Sequence, residues 1–308
     1  MAAWIRAISI GGAVPRPDFE AVVHSAFRHA ANLRAARSPL LLTLLSEADI
    51  ELPQGIRLDA PKGFTLEDLS PGAWAVCRAG VLTLADSLVI DLRPARSWEC
   101  DLRSQNADLT SPAVAAAWGH AWQAVKARRT TLAGEAIVGG RASQEPDCIA
   151  VISRRMNEAV RSLFEATRQN DAYCVGELTG LIGLGPGLTP SGDDLLMGYL
   201  VGLWCTTGGK LERQSFLAAL GESVIHLSRT TNDISRTYLC LAARGQVSST
   251  LLDLAAAICR GDSRASVSSK ADAAMRFGHN SGTEAVKGLL LGLAAWDRPH
   301  LAAGLSYD

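Results

Sequence analysis

At 308 residues the chain is long enough to bury a sizeable core, as one large domain or two ordinary ones. With 48% hydrophobic and 20% charged residues it is not a disordered chain, and a formal net charge of -1 supplies no basic surface for nucleic acid. Seven cysteines without a C-x-x-C pair read as reduced core thiols, and the seven tryptophans as core residues without the spacing of base-stacking platforms.

Met1 to Val14 is mildly apolar but has no signal-peptide layout, and no apolar run reaches the ~18 residues of a membrane span, so a cytoplasmic protein is expected. The segment from Phe19 to Arg37 fits a helical stripe through Phe19, Val22, Val23, Ala26, Phe27 and Ala30. It also fits an extended run, and a strand entering a helix is favoured. Short strands are predicted at Pro39–Leu45, Gly55–Leu58, Ala73–Cys77, Val81–Leu84 and Ser87–Leu92, each bounded by Gly, Pro or Asp. Strands of that length and spacing predict an antiparallel β barrel or sandwich over residues 1–95.

Beyond Pro94 the pattern turns helical. Ser111-Pro112 opens an Ala-rich helix to about Ala133, and Val138 to Asp147 reads as a loop. Helices follow over Ile152–Gln169, Ala172–Ile182, Pro190–Cys205, Gln214–Ser228, Asp233–Ala243, Ser249–Arg260 and Gly282–Trp296. The expected fold is α+β, with an α-helical domain over residues 96–308 and no internal repeat.

The strongest local signal is Gly183-Leu-Gly185-Pro-Gly187-Leu-Thr189-Pro-Ser191-Gly192-Asp193-Asp194. Thr189 suits an N-cap and Pro190 a first helical position, so the glycines would present backbone N–H groups to an anion at a helix start. The loop lacks the Lys of a Walker loop and the preceding strand of a dinucleotide fingerprint. Asp193 and Asp194 would repel a bare anion; they could hold Mg²⁺, accept substrate N–H groups, or merely cap the helix. No other cofactor is suggested.

A second polar loop, Gly278-His279-Asn280-Ser281-Gly282, opens the last helix, with Asn280 or Ser281 as its cap and His279 as a general acid/base candidate beside a structural alternative. The third is Ser228 to Arg236, where Arg229 and Arg236 could clamp a carboxylate or phosphate or line a solvated helix face. His24 and His120 read as packing residues.

Taken together, the loop 183–194, the pair Thr231 and Ser235, and Gly278-His-Asn-Ser-Gly282 resemble the AllH family, associated with the oxamate carbamoyltransferase of anaerobic allantoin breakdown. The resemblance implies one subunit of an enzyme that converts oxalurate and phosphate to oxamate and carbamoyl phosphate, working with two companion subunits. The chemistry of carbamoyl transfer makes His279, Asp193, Asp194 and Arg236 the catalytic candidates, His279 or Arg236 to polarise the carbonyl and Asp193 or Asp194 to orient the amide or a metal ion. Substrate contacts would come from Gly183, Gly185, Gly187, Thr189, Ser191, Gly192, Thr231, Ser235, Asn280 and Ser281. The competing readings are a non-catalytic assembly subunit and a stand-alone Mg²⁺-dependent phosphoryl- or acyl-transfer enzyme. A homo-oligomer is compatible with either.

Overall fold

The structure is a computed structural model that describes residues 3–16, 18–46, 49–85, 87–138, 146–171, 175–278 and 280–298. It divides into two compact units, Met1–Cys100 with Val247–Ser249, and Asp101–Gln246 with Thr250–Asp308.

The first unit is a closed eight-strand barrel. Its strands are β1 (Ala3–Gly11), β2 (Phe19–Ala26), β3 (Ala30–Ala35), β4 (Leu41–Leu45), β5 (Gly55–Leu58), β6 (Trp74–Arg78), β7 (Val81–Leu84) and β8 (Leu88–Asp91), and a short β9 (Arg96–Trp98) adds to one edge. Closure falls to β1, whose Ser9 and Ile10 pair antiparallel with β5 while Ala3 to Arg6 pair in parallel with β8. A second parallel pair joins β4 to β5. Alternate residues such as Leu33, Leu42, Leu44, Ile56, Leu82 and Ile90 fill the interior.

Two expectations change here. The segment from Phe19 is a hairpin of two strands, because Ala21 and Val23, then Ala31, Leu33 and Ala35, bury at a period of two. Its turn is closed by Phe27 N–H donating to the Ala30 carbonyl at 2.7 Å. The tryptophans are not all core, since Trp4 and Trp74 lie 61% and 66% exposed. Cys77, Cys205 and Cys240 are buried, and Cys100 and Cys259 half-buried, all as free thiols.

The second unit is helical. It contains α1 (Pro112–Val138), α2 (Pro146–Gln169), α3 (Val175–Leu181), α4 (Ser191–Trp204), α5 (Leu211–Leu227), a 3-10 turn at Ser228–Thr230, α6 (Asp233–Ala242), α7 (Ser249–Arg260), α8 (Arg264–Met275) and α9 (Ser281–Ala294). The loop predicted over 138–147 lies largely outside the described residues. Sequence reasoning passed over α8, whose first turn is capped by Ser263 accepting from Ser266 N–H; its serines, lysine and alanines carry little apolar periodicity. Among the described residues no helix is long and apolar enough to cross a membrane.

At the centre α4 and α9 pack at backbone contact. A Cβ on Gly198 would stand 1.9 Å from Ala285 O, and one on Gly288 would stand 2.0 Å from Leu195 O. Further along, a Cβ on Gly202 would meet Leu289 O at 2.5 Å and one on Gly292 would meet Tyr199 O at 2.2 Å. Glycine is therefore required at all four positions, one helical turn apart on each helix.

These contacts are reciprocal. Adding 90 to Leu195, Gly198, Tyr199 and Gly202 gives Ala285, Gly288, Leu289 and Gly292, and each residue meets the counterpart of its own partner. The helices thus run parallel about a local two-fold axis. The sequences match accordingly, Ser191-Gly192, Gly198, Leu200, Gly202 and Leu203 being repeated as Ser281-Gly282, Gly288, Leu290, Gly292 and Leu293. An internal repeat is present after all; changes of size and charge at the intervening positions, such as Met197 against Lys287 and Tyr199 against Leu289, had hidden it.

Candidate functional site

The two-fold brings the N-termini of α4 and α9 together, so the positive ends of two helix dipoles lie side by side. Thr189 Oγ1 and Ser281 Oγ share a hydrogen bond of 2.5 Å across the junction. Asn280 holds the N-cap position of α9 as predicted, whereas Thr189 does not hold that of α4. Thr189 is drawn to Ser281, and Pro190 and Asn280 take the cap positions with no side-chain cap hydrogen bond.

The glycine loop closes α3 and backs onto α4. Gly183, Gly185 and Gly187 adopt φ of 76°, 114° and 99°, where other L-residues are strained. A Cβ on Gly185 would lie 2.9 Å from Ser191 N, so the loop passes directly over the helix start. The anion cradle is smaller than the sequence suggested, because Gly183 N–H donates to Asp193 Oδ1 at 2.8 Å and Gly192 N–H to Leu184 O at 2.9 Å. The N–H groups of Gly185, Gly187 and Thr189 have no acceptor among the described residues.

The two aspartates separate by role. Asp193 is buried, and its second oxygen accepts from Thr231 Oγ1 at 2.6 Å. Burial raises its pKa; Thr231, Gly183 and Ser235 act in the opposite sense. Ser235 Oγ itself is buried short of a formed hydrogen bond. Asp193 thereby ties the loop after α3 to the segment before α6, which is a fastening role.

Asp194 is 6% exposed, and its Oδ2 is buried with no hydrogen-bond partner. Burial pushes its carboxyl up to about 7, and the negative charges of Asp193 and Glu284 add to the rise, while the Ser281 and Thr189 hydroxyls oppose it. Burial, and then the charge of Asp194, raises the Tyr238 hydroxyl on α6. A carboxyl that titrates near neutrality at the joined ends of two helices is suited to exchange a proton.

Of the remaining predicted residues, Asn280 is exposed, and Arg236 sits on α6 with its Nε buried without a partner. No ion pair joins Arg236 to Asp193 or Asp194 among the described residues. His279 lies outside the described residues. Those residues also contain no group of three His, Cys, Asp or Glu that could hold a metal ion. Each Asp193 oxygen accepts a hydrogen bond from a protein donor, Gly183 N–H or Thr231 Oγ1.

Sequence reasoning missed Lys287. It is 1% exposed inside a helix of Gly, Leu and Val, with its Nζ 3.3 Å from Glu284 Oε2. A single lysine in so apolar a helix is the signal that would have found it, since a buried charge demands a partner.

A barrel followed by a helical unit with a glycine loop over paired helix starts defines the class, an α+β protein of two units. Two family models match the chain. The AllH family N-terminal domain covers residues 6–97, and oxamate carbamoyltransferase subunit AllH covers residues 181–293. Together they span most of the chain, and the protein belongs to the AllH family. The second match takes in the glycine loop, α4 and nearly all of α9. No solved structure matches the chain.

Proposed function

We propose that this chain supplies the small-molecule site of an oxamate carbamoyltransferase, converting oxalurate and phosphate to oxamate and carbamoyl phosphate in purine nitrogen breakdown, in company with partner subunits. Asp194 carries the reading, as a buried carboxyl with an unpartnered oxygen in the first turn of the helix that the glycine loop enters. Gly185, Gly187 and Thr189 receive the substrate's phosphate or carboxylate through backbone N–H, and Asp194 exchanges the proton of the reacting amide nitrogen. Asp193, with Thr231 and Gly183, holds loop and helix in register. Arg236 and His279 are retained as candidates to polarise the carbonyl.

Thermal unfolding with carbamoyl phosphate, oxamate or phosphate tests this. A ligand at ~100 times its Kd adds ~2.7 kcal/mol, and the proposal expects that shift to vanish when Gly185 is replaced by valine. Phosphate-dependent carbamoyl transfer by the assembled enzyme should fall ~100-fold or more in Asp194→Asn. Full activity in that variant would refute the role of Asp194.

A second reading, an assembly subunit that completes a partner's site, is favoured by Leu188 and Phe277, apolar side chains 56% and 37% exposed in the loops leading to α4 and α9. Ligand stabilisation seen only in the presence of the companion subunits would support it.

A further inference from the structure

Asp194 and Glu284 occupy equivalent places in the repeat (194 + 90 = 284), each one helical turn before an interface glycine, Gly198 or Gly288. Residues four apart share a helix face, so both carboxyls fall on the facing sides of α4 and α9 at their joined N-terminal end. The repeat then breaks its own symmetry. Lys287 stands 3.3 Å from Glu284, whereas the corresponding residue of α4 is Met197. On the other side Asp194 is enclosed, with one oxygen left without a donor.

We propose that Asp194 and Glu284 act as one acid–base pair, with Asp194 as the proton donor and Glu284, beside the ammonium of Lys287, as the acceptor. Resting on the carbamoyl-transfer reading, the step balances as follows. An oxygen of hydrogen phosphate bonds to the ureido carbon of oxalurate, the carbon–nitrogen bond breaks, and the departing nitrogen takes the proton of Asp194 to become the oxamate amide. Glu284 accepts the proton of the attacking phosphate. The pair ends with one proton, as it began, and its return to Asp194 resets the site. A carboxylate on the facing helix opposes ionisation of Asp194, and unequal surroundings divide two such groups into acid and base. Among the described residues, the charged and titratable groups that act on or with Asp194 are Asp193 on its own helix, Glu284 with its partner Lys287 on α9, and Tyr238 on α6.

Infrared difference spectra of the full chain, recorded from about pH 5 to about pH 9, read the proton directly. The expected result is a carboxylic-acid band that titrates near neutrality and is lost in Asp194→Asn. Its midpoint should fall in Glu284→Gln and rise in Lys287→Met, which copies the residue found at the α4 position. A wild-type chain without that band, or a midpoint unmoved by Glu284→Gln, overturns the pair. In the assembled enzyme both Asp194→Asn and Glu284→Gln should lose ~100-fold in kcat, and full turnover in either would overturn the catalytic division. A band that behaves as expected in an assembly that transfers no carbamoyl group would uphold the pair and refute the proposed function.

Discussion

Asp194 and Glu284 stand at matching places in two fourteen-residue helices, yet Glu284 has the ammonium of Lys287 beside it while Asp194 is met by the hydroxyls of Ser281 and Thr189. The scaffold that makes this comparison meaningful is the glycine interface, because reciprocal backbone contacts leave the two helix starts no freedom to slide. A symmetric frame with asymmetric charges places two chemically similar groups in one spot and gives them different work.

The interface itself is the first thing to test. Gly198→Ala or Gly288→Ala would force a Cβ to within about 2 Å of a backbone carbonyl that cannot move aside without parting the helices. Each should cost ~1–3 kcal/mol or more by denaturant titration. Gly119→Ala in α1 is the control, for its added Cβ meets nothing within 4 Å. That change should stabilise the chain by ~0.5–1 kcal/mol, as expected for Gly to Ala inside a helix. Equal effects at Gly119 and Gly198 would contradict the packing.

Asp193 is expected to behave as a fastening. Asp193→Ala leaves the Gly183 N–H and the Thr231 hydroxyl without their acceptor, at a cost of ~1–3 kcal/mol. Asp193→Asn keeps one acceptor oxygen and should recover part of the loss. Limited proteolysis between Gly183 and Pro190 should quicken in the alanine variant. Cleavage at the wild-type rate would show that the loop is held by other means.

How much of this could be read beforehand depended on whether the signal was local. Strands β4 to β8 and most helices announced themselves through short apolar runs or periodic stripes, and the glycine loop through its density of Gly, Pro and Asp. The hairpin at Phe19 did not, because Phe19, Val22, Val23 and Ala26 satisfy both periods and only pairing with β6 decides between them. Burial of Asp194 comes from the contact of helices ninety residues apart (281 − 191 = 90), which propensity cannot see, whereas the Glu284–Lys287 pair is local, three residues apart on α9. The repeat Ser-Gly-x-x-x-x-x-Gly-x-Leu-x-Gly-Leu was the one sequence feature that could have joined those helices in advance.

Away from the site, Arg213 tests a structural clamp. Its guanidinium donates to both oxygens of Asp297 at 2.9 and 2.6 Å and lies 4.9 Å from the centre of the Trp296 ring. The same interaction holds the Asp297 carboxyl below the usual range. Its contribution is therefore present above the unfolded value of about 4 and is lost as pH falls through the lower folded value. Arg213→Lys keeps the charge but loses the fork and the stacking, and should cost ~1–2 kcal/mol at neutral pH. An unchanged denaturation midpoint would contradict the clamp.

Asp194 should leave the opposite signature. Its carboxyl is raised to about 7 in the folded chain, chiefly by burial, so between about pH 4 and about pH 7 the folded state keeps a proton that the unfolded state has released. A state that binds more protons is favoured by acid. The destabilisation from ionising Asp194 is thus absent below about pH 4, grows by up to ~1.4 kcal/mol per pH unit, and is complete above about pH 7. Burial raises Asp193 as well, whereas Asp91, Asp262 and Asp297 are lowered and act in the other direction, so the raw stability profile mixes both kinds. The difference between wild type and Asp194→Asn isolates the one group. Asparagine has a similar shape and no proton to lose, so its advantage over aspartate should widen steadily from about pH 4 and level off above about pH 7. Urea titrations at half-unit intervals would trace that curve, and a difference that stays flat with pH would show that Asp194 is ionised throughout and cannot serve as the acid.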